Sequence, residues 1–197
     1  MRAMGSLCFM RIIAGKAKGY NIQVPQGEVR PTQDRVREAL FNILHPILEG
    51  ARILDLFCGS GSVGLEALSR GAAAARMVDA SRHSCAMARK NLEKSKLSGG
   101  SVVQSDCLQF VKRDAGKYDI IFADPPYAKA AGDRDMIAEL MTDRLHELLT
   151  DNGYFIAEAQ VGYGVGDIHT REFPGWELID ERTYGKNTIL FYRKQPS

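Results

Sequence analysis

The chain has 197 residues, of which 45% are hydrophobic, and a formal net charge of +2. This length and composition fit one globular domain with a sizeable core and exclude a disordered tail. The charge sum is too small to identify a nucleic-acid partner, although the segment before Gly50 is locally basic.

The cysteines and the hydropathy pattern indicate a compartment. The four cysteines, Cys8, Cys58, Cys85 and Cys107, form no C-x-x-C pair, so neither a zinc site nor a disulfide framework is predicted. No apolar run approaches the roughly 18 residues that span a bilayer, and residues 1–9 lack the features of a signal peptide. We therefore expect a cytoplasmic protein with reduced thiols, no metal and no membrane partner; Met10 is a candidate natural start.

The first elements form a basic segment. Residues 10–14 and 20–24 read as two strands joined by G-K-A-K-G, which predicts a β-hairpin with Lys16 and Lys18 at its tip. These lysines, with Arg11, are either ordinary solvated cations or contacts to phosphate, and the pattern leaves both interpretations open.

A linker and a helix follow the hairpin. Residues 25–31 form the linker, and apolar residues at helical spacing predict a helix from Thr32 to Leu48. Arg35 and Arg37 lie off much of the apolar stripe, as either solvated charges or nucleic-acid contacts. We divide the chain into an N-terminal extension with a basic hairpin, 1–31, and a main domain, 32–197.

The most informative stretch is R-I-L-D-L-F-C-G-S-G-S-V-G, residues 52–64. It predicts a buried strand, a glycine-rich turn and a helix over 62–70 whose N-terminal amides face a ligand. Gly59, Gly61 and Gly64 match a dinucleotide motif. However, Asp55 would oppose a pyrophosphate and attract an ammonium group, which favours S-adenosylmethionine as the ligand.

Three further residues extend this predicted cofactor site. Residues 75–79 read as the second strand and 101–105 as the third, with a helix over 81–96 between them. Asp79 therefore lies at a strand's carboxyl end, where it can accept the ribose hydroxyls. Asp106, with the Cys107 amide, is a candidate for adenine, although Asp at this junction is also an ordinary helix cap.

A second motif follows the fourth strand, residues 118–123. Asp124, Pro125, Pro126 and Tyr127 form a stiff segment, because proline lacks an amide hydrogen and fixes its own φ, so nearby carbonyls are available as acceptors. The Asp124 carboxylate and these carbonyls can hold an amino group, while Tyr127 offers a flat face for stacking on a nucleobase.

The remaining chain predicts the far edge of the sheet. We expect one helix over 133–150, a turn at Asp151-Asn152-Gly153 and a fifth strand over 154–158. Residues 176–183 and 188–193 then form an antiparallel hairpin at the sheet edge.

These motifs resemble those of a known family. D-L-F-C-G-S-G followed by D-P-P-Y resembles the class I S-adenosylmethionine-dependent methyltransferases that modify an exocyclic nitrogen of a nucleobase. With M-R-I-I-A-G-K-A-K-G and R-P-T-Q-D-R-V-R-E-A-L-F-N-I-L, the chain looks like the bacterial RsmD family of 16S rRNA guanine-N2 methyltransferases, from Met10 to about Arg193.

The resemblance implies an α/β fold with a seven-stranded, mostly parallel Rossmann-like sheet, an antiparallel C-terminal hairpin and helices on both faces. It implies that Asp55, Gly59 and Gly61 bind the methionine end of the donor, Asp79 the ribose and Asp106 the adenine. It assigns residues 124–127 to a guanine of 16S rRNA, presented by a small ribosomal subunit or an assembly intermediate. Relatives often carry Glu where Asp79 stands. We expect a monomer.

Three other functions remain open from the sequence. A nicotinamide-dependent oxidoreductase would leave D-P-P-Y unexplained, and a non-catalytic RNA-binding module would bind ribosomal RNA without methyl transfer. A DNA adenine methyltransferase shares the cofactor turn and D-P-P-Y, but the chain shows no evident DNA-recognition domain beyond its N-terminal region.

Overall fold

A computed structural model describes residues 8–25, 31–126, 134–160 and 172–195, with the side chains of 31–35 and 160 outside this description. The strands are β1 Cys8–Arg11, β2 Asn21–Val24, β3 Arg52–Leu56, β4 Ala74–Asp79, β5 Gly100–Gln104, β6 Tyr118–Ala123, β7 Leu149–Gln160, β8 Trp176–Tyr184 and β9 Asn187–Lys194. The helices are α1 Pro31–Leu48, α2 Ser62–Ser69, α3 Arg82–Ser95, α4 Cys107–Arg113, α5 Met136–Leu140 and α6 Asp143–Leu148.

The main sheet has seven strands in the order β5-β4-β3-β6-β7-β9-β8. The first five are mutually parallel, whereas β9 pairs antiparallel with both β7 and β8. The sequence-based prediction of a mostly parallel sheet with an antiparallel C-terminal hairpin is therefore confirmed. Parallel strands bring their carboxyl ends to one edge, and the strand order reverses between β3 and β6, which is where such sheets bind ligands.

Side chains that alternate along the central strands bury both faces of the sheet. Leu54 and Leu56 of β3 pack in one core with α4, α5 and α6. Ile53, on the opposite face of the same strand, packs in a second core with α1 and α2. This burial on both faces explains why the central strands read as continuous apolar runs.

The N-terminal hairpin, β1 and β2, forms a separate two-stranded sheet that packs on α2 and α3. Ile12 and Ile22 share a small core with Leu65 of α2. At the hairpin tip, the Lys16 amide donates to the Ser69 carbonyl at 2.7 Å. Because α2 runs from the carboxyl end of β3 back to the amino end of β4, contact with Ser69 places the tip at the amino-terminal edge of the sheet.

Two predicted elements differ from the structure. The helix expected over 133–150 is two helices within the described residues, because Thr142 leaves the helix and its side chain caps α6 by accepting from the Leu145 amide. The turn expected at Asp151-Asn152-Gly153 lies inside β7, at an irregularity where the pairing with β6 shifts register. Among the described residues, no helix combines the length and apolar character needed to cross a membrane.

Candidate active site

A cleft of about 650 Å³ opens at the carboxyl ends of the parallel strands. Its volume falls within the range of small-molecule sites, roughly 300 to 1,000 Å³. The predicted ligand-binding residues that line it are Arg37, Gly59, Asp79, Asp106, Cys107, Asp124 and Pro126. The structure therefore brings the glycine turn and the D-P-P segment to the same cavity.

The glycine turn after β3 has a backbone that few residues other than glycine adopt. Gly61 has φ +82°, and a Cβ at this position would lie 2.9 Å from the Met77 Sδ and 3.2 Å from the Ala88 Cβ. The Gly61 amide closes the turn by donating to the Cys58 carbonyl at 2.7 Å. The turn therefore requires glycine for its conformation and for close packing against β4 and α3.

Asp55 lies behind the glycine turn and is absent from the wall of the cleft. Its side chain is 1% exposed, and one carboxylate oxygen accepts the Gly64 amide at 3.0 Å. Burial raises the pKa of Asp55 to about 7, the Gly64 bond opposes this rise, and the charge of Asp79 adds to it. The Asp55 carboxylate thus supports the start of α2 through Gly64, and its expected interaction with the methionine end of the donor stays a prediction.

Asp79 lines the cleft and also fixes its wall. One carboxylate oxygen accepts the Gly59 amide at 2.9 Å, and the other accepts the Ser81 amide at 2.7 Å. A carboxylate offers about four lone-pair positions, so the geometry leaves capacity for ligand hydroxyls. Asp79 can thus hold the glycine turn and a ribose at the same time.

Asp106 and Cys107 lie at the start of α4, just after β5, the strand that pairs with β4. Asp106 is exposed and caps the helix by accepting the Gln109 amide at 2.9 Å. The Cys107 thiol is buried and accepts the Phe57 amide at 3.3 Å. Burial raises the pKa of Cys107 to about 12, so this thiol is protonated at neutral pH and is no nucleophile.

The D-P-P segment follows β6 directly. Asp124 is half-buried in the cleft wall and Pro126 is exposed there, whereas Pro125 is buried beneath them. Tyr127 lies outside the described residues. Asp124 and Pro126 therefore share the wall of the cleft with the glycine turn.

Sequence reasoning missed several residues of the cleft wall. Glu158, at the carboxyl end of β7, is 8% exposed, lines the cleft and accepts the Asn187 side-chain amide at 2.5 Å. The rule that identified Asp79, an acid at the end of a parallel strand, also selects Glu158. Phe57 lines the cleft as well, and nothing in its sequence context distinguishes it.

The predicted cations do not form one cluster. Arg11 is exposed beside the cleft, whereas exposed Lys16 and Lys18 line a separate groove of about 890 Å³ at the opposite edge of the sheet. The Arg35 side chain lies outside the described part. No group of three or more potential metal ligands occurs among the residues that the structure describes.

Arg37 requires a correction, because we expected it at the surface. Its side chain is 5% exposed, and its guanidinium donates to the Arg11 carbonyl at 2.7 Å and contacts the Met10 sulfur. The apolar stripe of α1 is wide enough to include it. Arg37 joins α1 to β1 and lines the cleft, so it is not a solvated charge at the surface.

The sheet order, the glycine turn and the cleft define a class I methyltransferase. The solved structure of a candidate methyltransferase of Escherichia coli, yhhF, matches with a TM-score of 0.80 at 34% identity, over 95% of this chain and 99% of that chain.

Sequence comparisons narrow the class to a family. The chain is 35% identical over 193 residues to ribosomal RNA small subunit methyltransferase D of Escherichia coli (strain K12), covering 94% of this chain and 90% of that protein. The protein of the same name from Haemophilus influenzae is 39% identical over 190 residues, covering 93% and 92%. The family model described as conserved hypothetical protein 95 matches residues 10–193. The chain belongs to this family, which confirms the resemblance to the RsmD family.

Proposed function

We propose that this protein transfers a methyl group from S-adenosylmethionine to the exocyclic N2 of a specific guanine in 16S rRNA, in the cytoplasm and as a monomer. The observation that carries the proposal is one cleft whose wall contains both Asp79 with the glycine turn and Asp124 with Pro126. The two relatives named above as small-subunit rRNA methyltransferases support the choice of acceptor.

The residues of the cleft fit the proposed donor. Asp79 would accept the ribose hydroxyls with the lone pairs that Gly59 and Ser81 do not use. Asp106 and the Cys107 amide would bind the adenine, and the turn at Gly59 and Gly61 would face the methionine portion. Asp55 acts indirectly, since it holds the first turn of α2 through Gly64. When bound, the donor supplies an electrophilic methyl group on a sulfonium.

The residues of the D-P-P-Y motif would position the acceptor. Asp124 and the Pro125 carbonyl would accept the two N–H hydrogens of the guanine amino group and align its lone pair, which is partly delocalised into the ring. Such positioning can lower a barrier by roughly 7 to 11 kcal/mol. No covalent intermediate on the protein is required, and the proton lost from N2 would leave through Asp124 or water.

The target base has to leave its stack to enter the cleft. Extrusion of a base costs a few kcal/mol, and stacking on Tyr127 would offset about 1 to 3 kcal/mol of that cost. Arg11, Lys16, Lys18 and Arg35 would bind the RNA backbone without reading its sequence. Arg37 is buried and lines the cleft, so it is not counted among these exposed backbone contacts.

The test is transfer of a tritiated methyl group. The protein is incubated with labelled S-adenosylmethionine and either small subunits or naked 16S rRNA from a strain that lacks the enzyme, and the labelled base is mapped. We expect label on guanine N2 in small-subunit RNA, at one position.

Other outcomes would contradict the proposal. Label on adenine of DNA would identify a DNA methyltransferase, and binding of NADH in place of the donor would identify an oxidoreductase. If the unmodified protein bound ribosomal RNA but incorporated no tritiated methyl group, it would be a non-catalytic binding module.

A further inference from the structure

We propose that Asn91 is a positioning residue that couples the N-terminal hairpin to the donor-binding turn. This inference rests on the proposed function, because it concerns the same donor site. Asn91 belongs to α3, is 1% exposed and lies far from the strand ends in sequence. It nevertheless contacts both the hairpin and the wall of the cleft.

Asn91 binds β2 of the hairpin through both the oxygen and the nitrogen of its side-chain amide. The side-chain oxygen accepts the Gln23 backbone amide at 2.9 Å, and the side-chain nitrogen donates to the Gln23 carbonyl at 2.8 Å. The side chain thus pairs with both backbone groups of Gln23, as a neighbouring strand would. This arrangement requires a donor and an acceptor on one planar group, which a carboxamide supplies.

The second hydrogen of the same nitrogen goes to the glycine turn. It donates to the Ser60 carbonyl at 3.0 Å, and Ser60 is a buried residue of the cleft wall between Gly59 and Gly61. Asp79 holds the preceding residue, Gly59, through its amide. The peptide groups around Ser60 are therefore fixed from both sides, by Asp79 in the cleft and by Asn91 behind it.

This arrangement links two sites that the proposed reaction uses separately. A change in the hairpin at Gln23 alters the partner of Asn91, and through it the orientation of the Ser60 carbonyl in the donor site. By reciprocity, a donor that fixes the glycine turn also stabilises the Asn91 contact to β2. The hairpin is thus part of the donor site as well as a candidate RNA contact.

Other hairpin contacts provide a matched control. Ser69, at the far end of α2, accepts the Ala17 amide at 2.9 Å and donates to the Ala14 carbonyl at 2.6 Å. Its hydroxyl therefore anchors the hairpin tip without any contact to the glycine turn. Loss of this anchor loosens the hairpin but leaves Ser60 in place.

The test compares Asn91→Asp, Asn91→Ala and Ser69→Ala by calorimetric binding of S-adenosylmethionine. Asn91→Asp preserves shape and the acceptor for Gln23, but it places a carboxylate oxygen against the Ser60 and Gln23 carbonyls. Asn91→Asp loses the two hydrogen bonds that the side-chain nitrogen donates, and Asn91→Ala loses all three. Because only the bond to Ser60 holds the glycine turn directly, we expect about a three- to tenfold weaker donor affinity in both Asn91 variants. Ser69→Ala should bind the donor as the parent does. The coupling would be refuted if the Asn91 variants bound the donor as tightly as the parent. It would also be refuted if Ser69→Ala weakened donor binding as much as the Asn91 variants do.

A measurement on the unmodified protein covers the case in which the variants fail to fold. Donor binding should slow hydrogen exchange at the Gln23 amide, which is bonded to Asn91, and leave the Lys16 amide at the tip unchanged. Unchanged exchange at Gln23 would refute the proposal. Failure of the proposed donor is distinguishable, since the unmodified protein would then bind no S-adenosylmethionine. Failure of the proposed acceptor would appear in the labelling experiment and would leave this donor-binding test unchanged.

Discussion

Substitution of one glycine at the hairpin tip tests how the hairpin is attached. Gly15 has φ +83°, and a Cβ there would lie 1.8 Å from the Ser69 carbonyl oxygen. Because that atom belongs to the backbone of α2, Gly15→Ala has to displace the tip. Gly19 has the same φ of +83°, but a Cβ there would have no neighbouring atom within 4 Å. Gly19→Ala therefore carries the same backbone strain without the collision.

The structure sets the difference between these two variants. Displacement of the tip breaks the hydrogen bonds from Lys16 and Ala17 to Ser69 and from Ser69 to Ala14. At about 0.5 to 1.5 kcal/mol for each of them, Gly15→Ala should be destabilised by roughly 2 to 4 kcal/mol more than Gly19→Ala. For a chain of this size, each kcal/mol shifts the Tm by about 2 to 4 °C.

The assay is thermal and urea unfolding of both variants beside the parent. Gly15→Ala should unfold at a clearly lower temperature than Gly19→Ala, with a Tm difference of about 5 to 15 °C. If the two variants unfold together, the tip does not pack on α2 and the assignment of Ser69 as its anchor is wrong.

The remaining predictions concern the cleft. Asp79→Ala should weaken the binding of S-adenosylmethionine about ten- to a hundredfold relative to the parent. For a 2′-deoxy donor, the affinity of the variant should differ little from that of the parent. Equal losses for the two donors would show that Asp79 acts only by holding the turn. Asp124→Ala should abolish methyl transfer with donor affinity nearly intact, and normal turnover would overturn its assignment. Tyr127→Phe should be mild and Tyr127→Ala severe in the same assay, whereas equal effects argue against stacking. Because the folded pKa of Asp55 is about 7 against an ordinary 3.8, its contribution to stability is present below about pH 4 and is lost as the pH rises to 7. As the pH rises from 4 to 7, Asp55→Asn should therefore become more stable relative to the parent, by at most about 4 kcal/mol. Parallel curves of unfolding free energy against pH for the variant and the parent would refute this.

Much of the fold followed from local patterns in the sequence. Apolar runs identified the buried parallel strands, and G-K-A-K-G identified the hairpin, because both signals depend on nearest neighbours along the chain. The break at Thr142 was not predictable in this way. The helical spacing continues through it, and only the packing of α5 and α6 on the sheet decides that Thr142 caps a new helix.

The sequence predicted which residues lie near the candidate site better than it predicted what each of them contacts. The sequence places Asp55 and Asp79 equally at strand ends, but it does not say which carboxylate faces the cleft. That depends on the pleat of each strand and on Gly64, whose amide faces Asp55. Arg37 was misplaced for a similar reason, since a partner in β1 cannot be inferred from helical periodicity alone. The domain boundary near residue 31 stays a prediction.

The separation of Lys16 and Lys18 from the cleft sets a minimum size for any nucleic acid that touches both. The five residues of β3 span about 17 Å at roughly 3.3 Å per residue, which corresponds to about five base steps along one strand. A ligand of one or two nucleotides that fills the cleft is too short to reach these lysines as well. Lys16 and Lys18 can therefore add affinity only for a nucleic acid long enough to contact the cleft and the lysines together, and not for a small fragment.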